Sequence, residues 1–220
     1  MRRLPWSRRV EAVASLGDEN RRRLFQYVAS SPGPVGRDDV AAALGVPRST
    51  ASFHLDRMVR DGVLAVEFRK LGGKDGPGSG RPAKMYRPAQ PEVGASVPDR
   101  NYDLAAELMA TAIEQAATAG EPVRDTLLAT SRAKGRAMAE GSASLEDFLS
   151  AEGYMPDPDG EGGYALRNCP FHRLAGSHTE VVCAMNGAFL GGAAAGCGLE
   201  EGRIVGNTIP GQCCAKVTPP

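Results

Sequence analysis

Apolar residues in the first part of the chain recur at helical spacing, in runs that stop where glycine or proline intervenes. A helix is predicted from about Ser7 to Leu16, with Gly17 after it. Asp18 is placed to cap a second helix through about Ala29, whose apolar set is Leu24, Phe25 and Val28. The stretch from Ser30 to Pro34 is a breaker. Asp38 to Leu44 reads as a short helix with Val40, Ala43 and Leu44 inward. Gly45 ends it, and the next helix starts near Pro47, where a missing N–H costs little. That helix turns Ala51, Leu55, Met58 and Val59 inward. Arg48, Ser49, Ser52, Phe53, Asp56 and Arg57 face elsewhere, with Thr50 and His54 at the boundary. An apolar strand from Val63 to Phe68, a turn rich in Gly, Lys and Pro (Lys70 to Pro82) and a return strand from Lys84 to Arg87 predict a β-hairpin.

Beyond a Pro, Gly and Ser linker (Pro91 to Pro98), a long amphipathic helix is predicted from about Tyr102 to Ala119. Its stripe is Leu104, Leu108, Ala112 and Ala116, with Met109 and Ile113 beside it. Helices from about Val123 to Ala139 and from Leu145 to Glu152 follow. Their alanine-rich stripes permit close helix approach, and suit an internal core or a dimer interface equally. After an acidic turn from Met155 to Gly163, Tyr164 to Asn168 reads as a strand ending at Cys169. His178 to about Ala195 reads as a helix carrying Val181, Val182, Met185 and Phe189. Arg203 to Ile209 and Cys213 to Val217 read as two further strands. This last stretch is expected to form a small α+β unit in which a sheet packs on a helix.

Composition sharpens the picture in two places. Charge is segregated: before Gln90 there are 17 Lys and Arg against 9 Asp and Glu, and after it 9 against 17. A basic half suits a polyanion, because each phosphate neutralised releases condensed counterions. Small hydroxyls and arginines near the start of a helix can approach base edges and phosphates without clashing. Arg48, Ser49, Thr50, Ser52, His54 and Arg57 are therefore the candidate DNA contacts of the fourth helix. Lys70, Lys74, Arg81 and Lys84 are those of the hairpin, whose alternative is a solvated turn. No apolar run approaches a membrane span and no apolar stretch follows the N-terminal arginines, so a cytoplasmic protein without a membrane partner is expected.

Taken together, Asp39 to Val46, Arg48 to Leu55 and Asp61 to Leu64 resemble the winged-helix regulators of the ArsR and DeoR type. The resemblance implies a mainly α protein with small β elements. Residues 1–89 would be a winged helix-turn-helix, 90–100 a linker, and 101–220 a helical dimerisation region with a small α+β sensor domain. It further implies a homodimer that reads paired half-sites on double-stranded operator DNA.

The second sharpening comes from cysteine. All five cysteines lie in the last quarter: Cys169, Cys183, Cys197, Cys213 and Cys214. In a cytosolic chain such clustering points to metal or redox chemistry more than to structural disulfides, the alternative for each being a small buried hydrophobe. If the strand ending at Cys169 runs antiparallel to the one starting at Cys213, their thiols share one end of the sheet, and Cys183 lies little more than a turn into the helix. Cys197 would sit roughly 20 Å from Cys183 along a continuous helix, and only a break at Gly191-Gly192 would return it. Strand alternation predicts that Cys213 and Cys214 point to opposite faces.

The segment Asn168 to His172, Cys183 and Gly211 to Cys214 resemble the C-terminal region of SufR-type regulators, the iron–sulfur-sensing repressors of cluster-assembly operons. That resemblance implies an iron–sulfur cluster, [4Fe–4S] in preference to [2Fe–2S], held by Cys169, Cys183 and Cys213. The fourth ligand is open among Cys214, His172, His178, Cys197 and a non-protein group, with Cys214 the choice adopted. A structural zinc site on the same thiols, with an organic effector, is the alternative. No Cys-x-x-Cys motif, paired catalytic carboxylates or phosphate-binding glycine loop is present, so an enzyme is not expected. The Cys213-Cys214 pair is the only foothold for a thiol oxidoreductase.

Overall fold

The computed structural model describes residues 4–70 and 82–220, and the chain divides into two units, Met1–Ala95 and Ser96–Pro220. The first unit runs α1 (Trp6–Ser15), α2 (Glu19–Ser30), β1 (Val35–Gly36), α3 (Arg37–Leu44), α4 (Arg48–Arg60), β2 (Leu64–Arg69) and β3 (Ala83–Pro88). The Asp18 carboxylate accepts the Arg21 N–H at the start of α2, satisfying one of the donors a helix start leaves open. Gly45, at φ +64°, takes the left-handed turn that ends α3, and α4 begins three residues later.

Leu24, Val28, Val40, Ala51, Leu55, Met58 and Tyr86 close the core of this unit. β3 lies between β1 and β2, antiparallel to both, with Tyr86 opposite Val35 on one side and Val66 on the other. On α3 the expected inward set is corrected. Val40 is buried, but Ala43 is exposed and Ala41 packs on the core with Leu44. Positions i, i+1 and i+4 share that face, and i+3 lies beyond its edge.

The second unit contains α5 (Tyr102–Ala119), α6 (Val123–Ala139), α7 (Leu145–Ala151), β4 (Pro156–Pro158), β5 (Tyr164–Leu166), α8 (His172–Ser177), α9 (Thr179–Gly196), β6 (Ile204–Gly206) and β7 (Ala215–Val217). The sheet is ordered β4-β5-β7-β6, antiparallel throughout, and packs with α9 in one core. The α5 stripe Leu104, Leu108, Ala112 and Ala116 is buried within the chain itself, whereas Ile113 is exposed. Three readings of the sequence are corrected. The acidic turn contains β4, the link after Cys169 coils into α8, and the last strand starts at Ala215, leaving Cys213 and Cys214 ahead of it. Val181, expected inside, is 47% exposed.

α9 is apolar on nearly every side and correspondingly buried along its second half. It meets α6 backbone to backbone. A Cβ added to Gly192 would lie 1.9 Å from the Arg132 carbonyl oxygen, and one added to Gly135 of α6 would lie 2.0 Å from that of Phe189. Gly196 continues the seam against Arg136, at 2.4 Å by the same measure. The helix is unbroken at Gly191-Gly192, because that glycine pair serves packing rather than a bend.

A substitution pair tests the seam. Gly192→Ala is expected to destabilise the second unit by about 3 kcal/mol in chemical denaturation, since rigid backbone must move aside. Gly187→Ala, in the same helix with nothing within 4 Å of its new methyl, should stabilise by up to about 1 kcal/mol. Equal behaviour of the two variants would show that α6 and α9 have slack.

Candidate functional site

One candidate face lies on α4. Its apolar stripe binds the helix to the first core, leaving Ser49, Phe53 and Arg60 on the opposite side. Arg37, Arg48, Ser49, Ser52, Phe53 and Asp56 border a shallow concavity there. The cations on this face are held by carboxylates. Arg48 pairs with Asp38, Arg57 with Asp61 at 3.0 Å, and Lys84 of β3 with Asp56.

Asp56 is the hub that ties α4 to the hairpin. It accepts hydrogen bonds from Lys84 and from the Tyr86 hydroxyl, the latter at 2.8 Å. Burial pulls the Asp56 carboxyl upward, but those two donors and the lysine charge outweigh it and hold its pKa below the usual carboxylate value. Burial and the same carboxylate push the Tyr86 hydroxyl far up, so it stays a neutral donor. Asp61 is likewise depressed: burial opposes, while the Ser15 hydroxyl at 2.7 Å and Arg57 prevail. His54 packs edge-on against the Phe53 ring, with centroids 5.3 Å apart. Its Nδ1 is enclosed without a hydrogen-bond partner.

The second candidate is a thiol cluster. Cys213 N–H donates to the Leu166 carbonyl at 2.8 Å, setting Cys213 beside the end of β5 and hence beside Cys169. The sulfurs form a chain in which Cys183 neighbours Cys214, Cys214 neighbours Cys213, and Cys213 neighbours Cys169. The Cys213 thiol donates to Cys169 and lowers its pKa, helped by the Phe171 backbone N–H against the effect of burial. That donation, with burial, pushes Cys213 up to about 11. Burial and the bond to Cys214 push Cys183 up to about 12, while donation to Cys213 and burial raise Cys214 further. Because Cys213 and Cys214 precede the strand, alternation does not separate them. Both face the buried Asn186 amide, whose Nδ2 lies 3.3 Å from the Cys213 sulfur and 3.7 Å from that of Cys214. The Tyr154 hydroxyl donates to Asn186 Oδ1 at 2.6 Å, fixing the direction of the amide.

The rest of the cysteine and histidine set lies apart. Cys197 caps α9, with its sulfur 3.9 Å from the Ala139 carbonyl oxygen, and burial raises its pKa. His172 and His178 are exposed at the two ends of α8. Among the described residues, no three His, Cys, Asp or Glu side chains converge in a way that would hold a single metal ion. Cys169 is positioned by Asn168, whose Nδ2 donates to the Asp99 and Gly153 carbonyls at 2.8 and 2.6 Å.

Residues 16–67 match the family model of the helix-turn-helix domain. The N-terminal unit carries a DNA-binding helix-turn-helix domain. No curated protein and no solved structure matches the chain. In the helix-turn-helix domain α3 and α4 are the paired helices, and β2 and β3 form the hairpin that follows. Of the predicted contacts, Arg48 and Ser49 are exposed on α4 and Thr50, Ser52 and His54 half-buried, while Arg57 and Lys84 stand in ion pairs. Lys70 is exposed at the end of β2, and Lys74 and Arg81 lie outside the described residues. Sequence reasoning missed Asp56 and Tyr86 as a hub, because 30 residues separate them and only the fold joins them. It also missed Asn186, although a lone amide in an otherwise apolar helix is a signal that a buried partner exists.

The depressed pKa values fix a pH dependence. A carboxyl group whose folded pKa is lowered contributes stability above its unfolded value, and that contribution disappears as pH falls through the folded one. The helix-turn-helix domain is therefore expected to lose stability on acidification below about pH 4. Asp56→Asn should flatten part of that loss, within about 1 kcal/mol given its partial exposure. Denaturation of both proteins across that range checks the sign. An unchanged profile would show that Asp56 is not a stabilising hub.

Proposed function

We propose that the chain is a homodimeric, cytoplasmic transcription repressor whose operator binding is controlled by an iron–sulfur cluster on Cys169, Cys183, Cys213 and Cys214. The observation that carries the reading is the gathering of four of the five cysteines, from three separate stretches of chain, around one buried amide. Thiolates are the ligands such clusters take, and N–H donors to their sulfurs are among the features that set cluster potential. The sulfurs lie in a row of neighbours rather than around one point. A row suits a polynuclear group, in which each thiolate meets a different iron, better than a mononuclear zinc ion, whose four ligands share one centre. A [4Fe–4S] cluster is the form proposed.

When bound, the cluster would supply a redox- and iron-sensitive bond between its ligands. The chain's own residues would do the rest. Asn186 donates to sulfur, Tyr154 orients Asn186, and Asn168 holds the approach to Cys169. Loss of the group would release the start of α9 and the segment ahead of β7, the elements that carry three of the four ligands.

Anaerobic purification with iron, sulfide and zinc assays on one sample tests the reading. A brown protein with matching iron and acid-labile sulfide is expected, with the colour lost in Cys169→Ala and Cys183→Ala and operator affinity differing between holo and apo forms. A colourless protein that resists reconstitution would overturn cluster sensing. Stoichiometric zinc in that protein would instead place a structural zinc site on the same thiols.

A further inference from the structure

We infer that Phe53 reads a thymine methyl group in the major groove and is a base-specificity residue of the helix-turn-helix domain. The inference rests on DNA binding by α4. Phe53 is 62% exposed, on a helix whose other bulky apolar residues are buried or half-buried. At about 100° per residue it stands roughly 200° around α4 from buried Ala51, directly opposite the stripe that docks the helix. An edge contact from half-buried His54 restricts the ring, so little freedom remains to be lost on binding.

The surroundings define what the ring can meet. Ser49, Ser52 and Arg48 border one side, and Asp56 and Arg60 the other, so the ring is an apolar point in a polar, largely cationic rim. A helix that sets this face into a major groove brings the cations to the phosphates and the ring to the base edges. Phenyl carbons neither donate nor accept hydrogen bonds. Among the major-groove edges of the four bases, the C5-methyl of thymine is the apolar group, and Phe is one of the side chains that contact it. Cytosine, guanine and adenine present donors and acceptors that the ring would strip of water without replacing. The ring therefore selects for thymine and against each of the others.

The test uses the full chain. Duplexes are selected from a randomised pool at fixed salt, and each thymine of the recovered site is then replaced by uracil, which removes the methyl and keeps O4. Wild type is expected to lose about fourfold in affinity at one such position, the value of about 0.8 kcal/mol for one buried methyl group. In Phe53→Ala the thymine-to-uracil ratio at that position should fall to about one, and Phe53→Leu should retain part of it. Circular dichroism is expected to be unchanged in both variants, since the side chain is exposed. Discrimination that survives in Phe53→Ala, or a wild-type site indifferent to uracil throughout, would overturn the assignment. Selective binding unchanged by either variant would also overturn it, and would mark the ring as a contact for a protein partner. Failure to recover any preferred duplex with wild type would instead remove DNA reading by α4 itself.

Discussion

The glycine seam between α6 and α9 is the constraint on which the second unit depends. Side chains normally keep helix axes 8–10 Å apart. Here Gly135, Gly192 and Gly196 take away the side chains at the contact, and carbonyl oxygens of one helix rest on α-carbons of the other. Such packing has few alternative registers, because a shift of one residue brings a Cβ against backbone. With the C-terminal half of α9 fixed, its N-terminal half projects Cys183 and Asn186 at a set height over the sheet. Cys169 and Cys213 arrive at that height from β5 and the segment before β7. A bulky helix contact would leave the height, and so the spacing of the sulfurs, less defined.

The two candidate sites are organised by opposite means. In the first unit, charged groups meet at a half-exposed surface, where each pair contributes little alone and the network gains from sharing Asp56. In the second, the organising groups are neutral and buried. Tyr154 and Asn186 form a hydrogen-bonded relay in which every polar atom has a direction. The first arrangement can exchange partners at low cost. The second holds one geometry and tolerates little rearrangement.

The long elements were legible because their patterns repeat. α5 and α6 occupy the predicted spans, with Asn101 capping the start of α5 and Gly120 turning at its end. Short elements were not legible, since pairing rather than propensity creates them. β1 is two residues long and exists through Met85 and Tyr86 opposite. The strand predicted to begin at Cys213 begins at Ala215, because the Cys213 N–H bonds to the Leu166 carbonyl beyond the regular ladder. The nearness of Cys169, Cys183 and Cys213 followed from topology alone. The inclusion of Cys214 did not, as it depends on that local departure from strand geometry.

The carboxylates on the α4 face have a further consequence. Arg48, Arg57 and Lys84 each hold an acidic neighbour supplied by the same chain. Any phosphate must displace a tethered rival, whose local concentration is high and does not dilute. A single phosphate on a mismatched polyanion competes poorly at any one cation. A duplex whose backbone meets several of them in register competes at all of them together. The acidic residues thus act as a threshold device, converting a basic surface that would adhere to any polyanion into one that responds to shape.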